Sequence, residues 1–189
     1  MRYTYTAIEA DSLPQASEAA FQHAVDTYAS ETNKTIATWG EFADEDLGFR
    51  PHEKSTAVGD IMKHELLSSR RFFSEFLHAP EPEAITVLPS PFTVDAACHR
   101  IKSMARRRLD FLASRSEEWW LTEDDFFDVR RERIWIFWRR VLHSAHHRTQ
   151  LTVYLRLLGK RVPPTYGPTA DVWWSGADPT TTLEASQRK

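Results

Sequence analysis

Apolar residues recur at helical spacing in several long stretches of the chain. Phe21, Val25, Tyr28, Thr32, Ile36 and Trp39 form the first stripe, and Ser12 and Pro14 ahead of it read as a start signal. The spacing predicts a helix over 15–38. Ser55 or Thr56 can cap a second helix running to about Leu77. Val94, Ala97, Cys98, Ile101, Ala105, Leu109 and Leu112 mark a third over 93–115. The fourth and longest is expected over 129–158, with Gly159, Pro163 and Pro164 as its stop.

Between these stretches the pattern breaks. Residues 40–53, with Gly48, Pro51 and several acids, read as a connection. Pro80, Pro82, Pro89 and Pro91 forbid a helix over 79–91 and make it a crossing loop. Residues 116–129 are acidic but hold Trp119, Trp120, Phe126 and Phe127, and read as a partly packed connection. Residues 3–8 alternate, as a short strand or extended arm would. Four long amphipathic helices with at most short strands predict an all-α, antiparallel four-helix bundle with long crossing loops. It is expected as a single domain over 1–174, followed by a polar tail over 175–189. No internal repeat is present.

Composition narrows the function classes. A chain of 189 residues with 41% hydrophobic and 27% charged residues has the balance of a soluble globular domain. The formal net charge of −3 argues against a nucleic-acid partner or an anionic membrane surface. No stretch approaches the roughly 20 apolar residues that span a bilayer, and the N-terminus lacks a signal-peptide pattern, so a cytoplasmic location is expected. The only cysteine, Cys98, lies in the apolar stripe of the third helix, where it reads as packing rather than a nucleophile.

The candidate chemistry lies in the histidines. His143 and His147 stand four apart, so on a helix both imidazoles can reach one ion. Eight histidines in 189 residues produce such pairs by chance often enough that spacing alone proves little; two solvated or hydrogen-bonded core histidines are the competing reading. The zinc-protease motif H-E-x-x-H does not apply, because Ser144 stands where its general base must be. A third ligand must come from another helix, among His23, His52, His64, His78 and His99. Mid-helix position favours His64 by a small margin over His23, and on these grounds the choice stays open.

The run Leu142-His143-Ser144-Ala145-His146-His147-Arg148-Thr149-Gln150-Leu151, followed by Tyr154-Leu155-Arg156 and Gly159, resembles the DinB/YfiT-like metalloenzyme family. That family's signature is H-x-x-x-H-R-G-Q-L leading into L-R-x-x-G. The exit Val162-Pro163-Pro164-Thr165-Tyr166-Gly167 is similar too, as is the approach Phe49-Arg50-Pro51 and Thr56 to His64. Thr149 departs from the pattern's glycine, a change that bears on close helix packing there. The resemblance implies a four-helix bundle, often dimeric. It also implies that His64, His143 and His147 hold one divalent ion, zinc or nickel ahead of iron, manganese or copper. Three imidazoles leave a coordination position for a small-molecule substrate. Family members with known activity include thiol transferases, so the function expected is a metal-dependent transferase using a low-molecular-weight thiol. A metal-dependent hydrolase and a non-enzymatic metal-binding stress-response module are the alternatives.

Around such a site, Gln150 and Tyr154 share the helix face of His143 and His147 and can meet bound water or substrate. Asp60 and Arg71 lie on the side of His64, Asp60 as a carboxylate able to orient its ring, although each also reads as an ordinary exposed charge. Arg108 interrupts the apolar stripe of the third helix, either snorkelling outward or clamping an anionic ligand group. Trp119, Trp120, Trp173 and Trp174 fall outside the helix stripes, as bundle-end packing or as part of a homodimer interface.

Overall fold

In the computed structural model, residues 7–172 are described, together with Leu183 and Gln187. Trp173 and Trp174, most of the predicted arm and most of the polar tail lie outside them. The first helix, α1, spans Gln22–Trp39 and buries Ala24, Val25, Tyr28, Thr32 and Trp39. It starts later than the spacing predicts because the chain ahead of it is tied elsewhere. Ser17 donates its N–H to Ala113 O at 2.7 Å, and Gln22 Oε1 accepts from Ala16 N at 2.6 Å. Ile8, at the end of the predicted arm, is buried against α1, with both its backbone polar groups bonded to the Asn33 amide.

Helix α2 spans Val58–Arg71 and widens into a π-type turn, Phe72–Phe76, before Leu77. The proline-rich segment that follows is a loop with one 3₁₀ turn, Ala84–Thr86. Helix α3, Val94–Ala113, is capped by the Thr93 hydroxyl, which accepts from Ala96 N.

The segment after α3 differs from the sequence reading. A short helix α4, Glu117–Leu121, is capped by Ser116. An antiparallel hairpin of β1 (Glu123–Phe126) and β2 (Val129–Glu132) follows. The last long helix, α5, therefore begins at Arg133 rather than 129 and runs to Leu157, with Gly159 at φ 69 ending it. The hairpin sets Asp124 opposite Arg131, Asp125 opposite Arg130 and Phe126 opposite Val129, but also Glu123 opposite Glu132, so its strands carry charge without apolar alternation. Trp120 is fully buried and Trp119 packs half-buried on Phe111, so these two cap the bundle instead of forming an outer face.

Helices α1 and α2 each pack against both α3 and α5, which places α1 and α2 on one diagonal of the bundle and α3 and α5 on the other. The core falls into two apolar halves. One holds Tyr28, Phe73, Leu109, Trp120 and Phe137; the other holds Trp39, Met62, Leu66, Met104, Leu151 and Tyr154. Between them runs a belt of buried charge that includes Glu31, Glu65, Arg108, Arg140 and Arg148. Buried ions persist only where they are paired and hydrogen-bonded, so this belt fixes how the helices register against one another.

Candidate metal centre

Midway along the bundle, α2 presents His64 and α5 presents His143 and His147, and the three rings meet. His143 Nε2 lies 3.1 Å from His64 Nε2 and 3.0 Å from His147 Nε2. His64 is exposed and the α5 pair half-buried, so the cluster sits at the edge of the belt and opens to solvent on the α2 side. Phe72 closes another side, its ring edge-on to His143 at 6.3 Å between centroids. Burial first, then the Arg140 charge, pushes His143 down to about 4, and burial also lowers His147. Both rings are therefore neutral at pH 7, the form in which imidazole binds a metal.

The hydrogen bonds behind His147 fix which of its nitrogens carries the proton. Thr56 O can only accept, so the Tyr154 hydroxyl, 3.2 Å away, donates to it. The Tyr154 oxygen is then free to accept from Gln150 Nε2 at 3.0 Å. That orientation turns Gln150 Oε1 toward His147 Nδ1 at 3.3 Å, so Nδ1 holds the proton and Nε2 is a bare lone pair. With His147 Nε2 bare, one proton on His143 Nε2 can serve only one of its two close nitrogen neighbours well. A cation among the three nitrogens resolves the conflict, and the donor set fits a divalent metal ion.

A fourth group approaches the cluster. Glu65, next to His64 on α2, is 1% exposed. Its Oε2 accepts from Arg140 at 2.8 Å and from Ser144 at 2.7 Å, while its Oε1 has no hydrogen-bond partner among the described residues and stands 3.8 Å from His143 Nε2. Burial opposes its charge, but Arg140 and Ser144 outweigh burial and hold the carboxyl below its usual range. One oxygen of Glu65 and one nitrogen from each of His64, His143 and His147 lie within 4.8 Å of one another, an arrangement able to hold a metal ion.

The sequence pattern that defines the DinB family matches residues 14–180. The chain belongs to the DinB family. Two solved DinB-like structures share the fold. One, from Bacillus cereus ATCC 10987, is 19% identical with a TM-score of 0.67, covering 77% of this chain and 97% of that one. The other, from Bacillus subtilis, is 20% identical with a TM-score of 0.61, covering 76% and 96%. No curated protein matches the chain.

Within this DinB bundle the remaining expected site residues separate. Gln150 and Tyr154 join the cluster as the relay behind His147. Asp60 pairs with Lys63 at 3.2 Å and Arg71 with Glu75 at 2.8 Å, both in the open, so neither charge is spent on His64. Arg108 neither snorkels nor waits for a ligand. It is buried, holds both oxygens of Glu81 at 2.6 and 2.8 Å, and gives its remaining nitrogen to Tyr28 and Ser69. The anionic group it clamps belongs to its own chain. Thr149 faces solvent and bonds back to Ala145 O, so no close helix approach occurs there. Cys98 stays a thiol, pushed up to about 12 by burial and then by Asp95.

Three residues of this DinB centre escaped the sequence reading: Glu65, Arg140 and Ser144. The available signal was position. Glu65 falls on the buried face of α2 with Ile61, Met62 and Leu66, and Arg140 and Ser144 lie one turn before and directly beside the His143 face of α5.

Proposed function

We propose that this DinB protein holds one divalent metal ion through His64, His143 and His147 and uses it in a transferase reaction with a low-molecular-weight thiol. The observation that carries the reading is the meeting of three imidazole nitrogens at 3.0–3.1 Å, with His147 Nε2 left bare by its relay. A divalent ion supplies Lewis acidity, lowering the pKa of a thiol so that a nucleophile forms at neutral pH. The chain's own residues hold and aim. Gln150 and Tyr154 lock the His147 ring, Arg140 and Ser144 hold Glu65 beside the cluster, and Phe72 walls off one side. His64, being exposed, leaves the approach from solvent by which a small substrate reaches the centre.

A metal-dependent hydrolase is the second reading, favoured by Glu65, a carboxylate beside the cluster that thiol chemistry does not require. The homodimer belongs to this proposal as well, on a different surface from Trp119 and Trp120. Leu142, Val153 and Leu157 are 63%, 54% and 59% exposed along the outer stripe of α5. Leu142 and Val153 line a shallow groove of about 480 Å³ with His146, Thr149 and Gln150. Light scattering at micromolar concentration should then give twice the chain mass.

Metal analysis of the purified protein should give about one divalent ion per chain. Titrating the cobalt form with small thiols should produce a sulfur-to-metal charge-transfer band. A cobalt form that shows no such band with any thiol sinks the transferase reading while leaving metal binding standing.

A further inference from the structure

Among the described residues, three buried carboxylates face buried arginines, and they are not used alike. Glu31 gives Oε1 to Lys34 and Oε2 to Arg148 and Tyr166. Glu81 gives both oxygens to Arg108. Glu65 gives only Oε2, to Arg140 and Ser144. Its Oε1 has no hydrogen-bond partner among the described residues, although a buried charged oxygen without a partner is costly. Were Glu65 present only to neutralise Arg140, nothing would require this oxygen to lie beside three imidazole nitrogens.

The placement of the four groups points the same way. Glu65 Oε1 stands 3.8 Å from His143 Nε2, and one donor atom from each of Glu65, His64, His143 and His147 lies within 4.8 Å of the others, so small side-chain shifts bring all four onto one ion.

Resting on the metal-binding reading above, we propose that Glu65 is a fourth protein ligand, bound through Oε1. The centre is then a three-imidazole, one-carboxylate site, and binding a substrate as well takes a five- or six-coordinate ion such as manganese, iron, cobalt or nickel. Arg140 and Ser144 act as positioning residues, holding Oε2 so that Oε1 faces the histidines. Five or six coordination with four protein ligands still leaves room for substrate.

Cobalt loading of the full chain tests this. The wild type is expected to show the weak visible bands of a five- or six-coordinate ion. Its infrared difference spectrum on loading should contain a carboxylate stretch shifted by ligation. In Glu65→Gln, Arg140 and Ser144 keep the amide oxygen, so the amide nitrogen, a poor metal donor, faces the histidines. Cobalt affinity should fall at least about tenfold, the visible bands should intensify toward the four-coordinate form, and the carboxylate shift should vanish. Affinity loss alone is also what an outer hydrogen-bonding partner would give, so the two spectra decide. An unchanged cobalt spectrum in Glu65→Gln, or no carboxylate shift in the wild type, overturns the proposal and leaves a three-histidine site. If circular dichroism shows that Glu65→Gln does not fold, the wild-type infrared spectrum decides alone. A wild type that takes up no cobalt at all overturns the metal reading, and this ligand with it.

Discussion

Arg108–Glu81 and Arg140–Glu65 are both buried arginine–carboxylate pairs, yet they teach opposite things. In the first, both carboxylate oxygens sit on the guanidinium and the remaining nitrogen is taken by Tyr28 and Ser69. The Phe73 ring lies 4.3 Å below the guanidinium carbon. Nothing is left over, and the pair can only hold the 79–91 loop against α3. In the second, the arginine is divided among Glu65, Ser68 and Ser144, and one carboxylate oxygen faces the histidine cluster without a hydrogen-bond partner among the described residues. A closed network reads as architecture; a network with one open end marks where something else is to bind.

The contrast can be broken most sharply from the histidine side. His64→Ala, His143→Ala and His147→Ala should each lose most of the bound metal, measured by elemental analysis after gel filtration. His52→Ala and His99→Ala should keep it. Full occupancy in His64→Ala would show that the third ligand lies elsewhere. The closed pair should behave in the reverse sense. Glu81→Ala leaves the Arg108 charge buried and uncompensated and should lower unfolding stability by about 3–5 kcal/mol in urea titration. Its metal content, measured on the folded fraction, should be unchanged.

Smaller effects sharpen the same line. Gln150→Leu removes the acceptor that holds the proton on His147 Nδ1 and should weaken metal binding by about 10–100-fold in chelator competition. Because His147 is half-buried, the metal-free protein should melt within a few degrees of wild type. If affinity is unchanged, the relay does not set the His147 tautomer. The mildest prediction concerns acid. Burial alone would raise the Glu31 carboxyl, but the Arg148 charge and the bonds from Lys34, Tyr166 and Arg148 outweigh it and lower it below 4.5. A carboxyl whose folded value is lowered contributes stability above its unfolded value, and that contribution is lost as pH falls through the folded one. The metal-free protein should therefore begin to lose stability below about pH 6.5, as the depressed His143 and His147 take up protons. The Glu31 share should be lost only below 4.5, where Glu31→Gln should show a shallower acid slope.

What was legible in the sequence followed from range. The helix stripes and the His143/His147 pair rest on neighbours within one or two turns, and spacing suffices to find them. His64 is 79 positions from His143, and only the resemblance of its flanking residues picked it out. Glu65 stayed hidden because an acid on a helix usually reads as solvated, and nothing nearby announces that Arg140 will arrive opposite it. The hairpin was missed for a local reason. Its two-residue turn has Phe127 at φ 56, a conformation usually marked by glycine or asparagine. Its strands are charged on both faces, without the alternation that signals a sheet.

The same separation of 79 positions has a consequence during synthesis. While the chain emerges from the ribosome, α2 is complete long before α5 exists, and His64 has no companions to share an ion with. Even a finished α5 offers only a two-imidazole ledge until it docks against α2 through Arg140, Glu65 and Ser144. The four-residue cluster thus comes into being only when α5 docks on α2. On the proposed metal-binding reading, capture of the ion should report that α2 and α5 have docked, and truncation anywhere before residue 147 should abolish it.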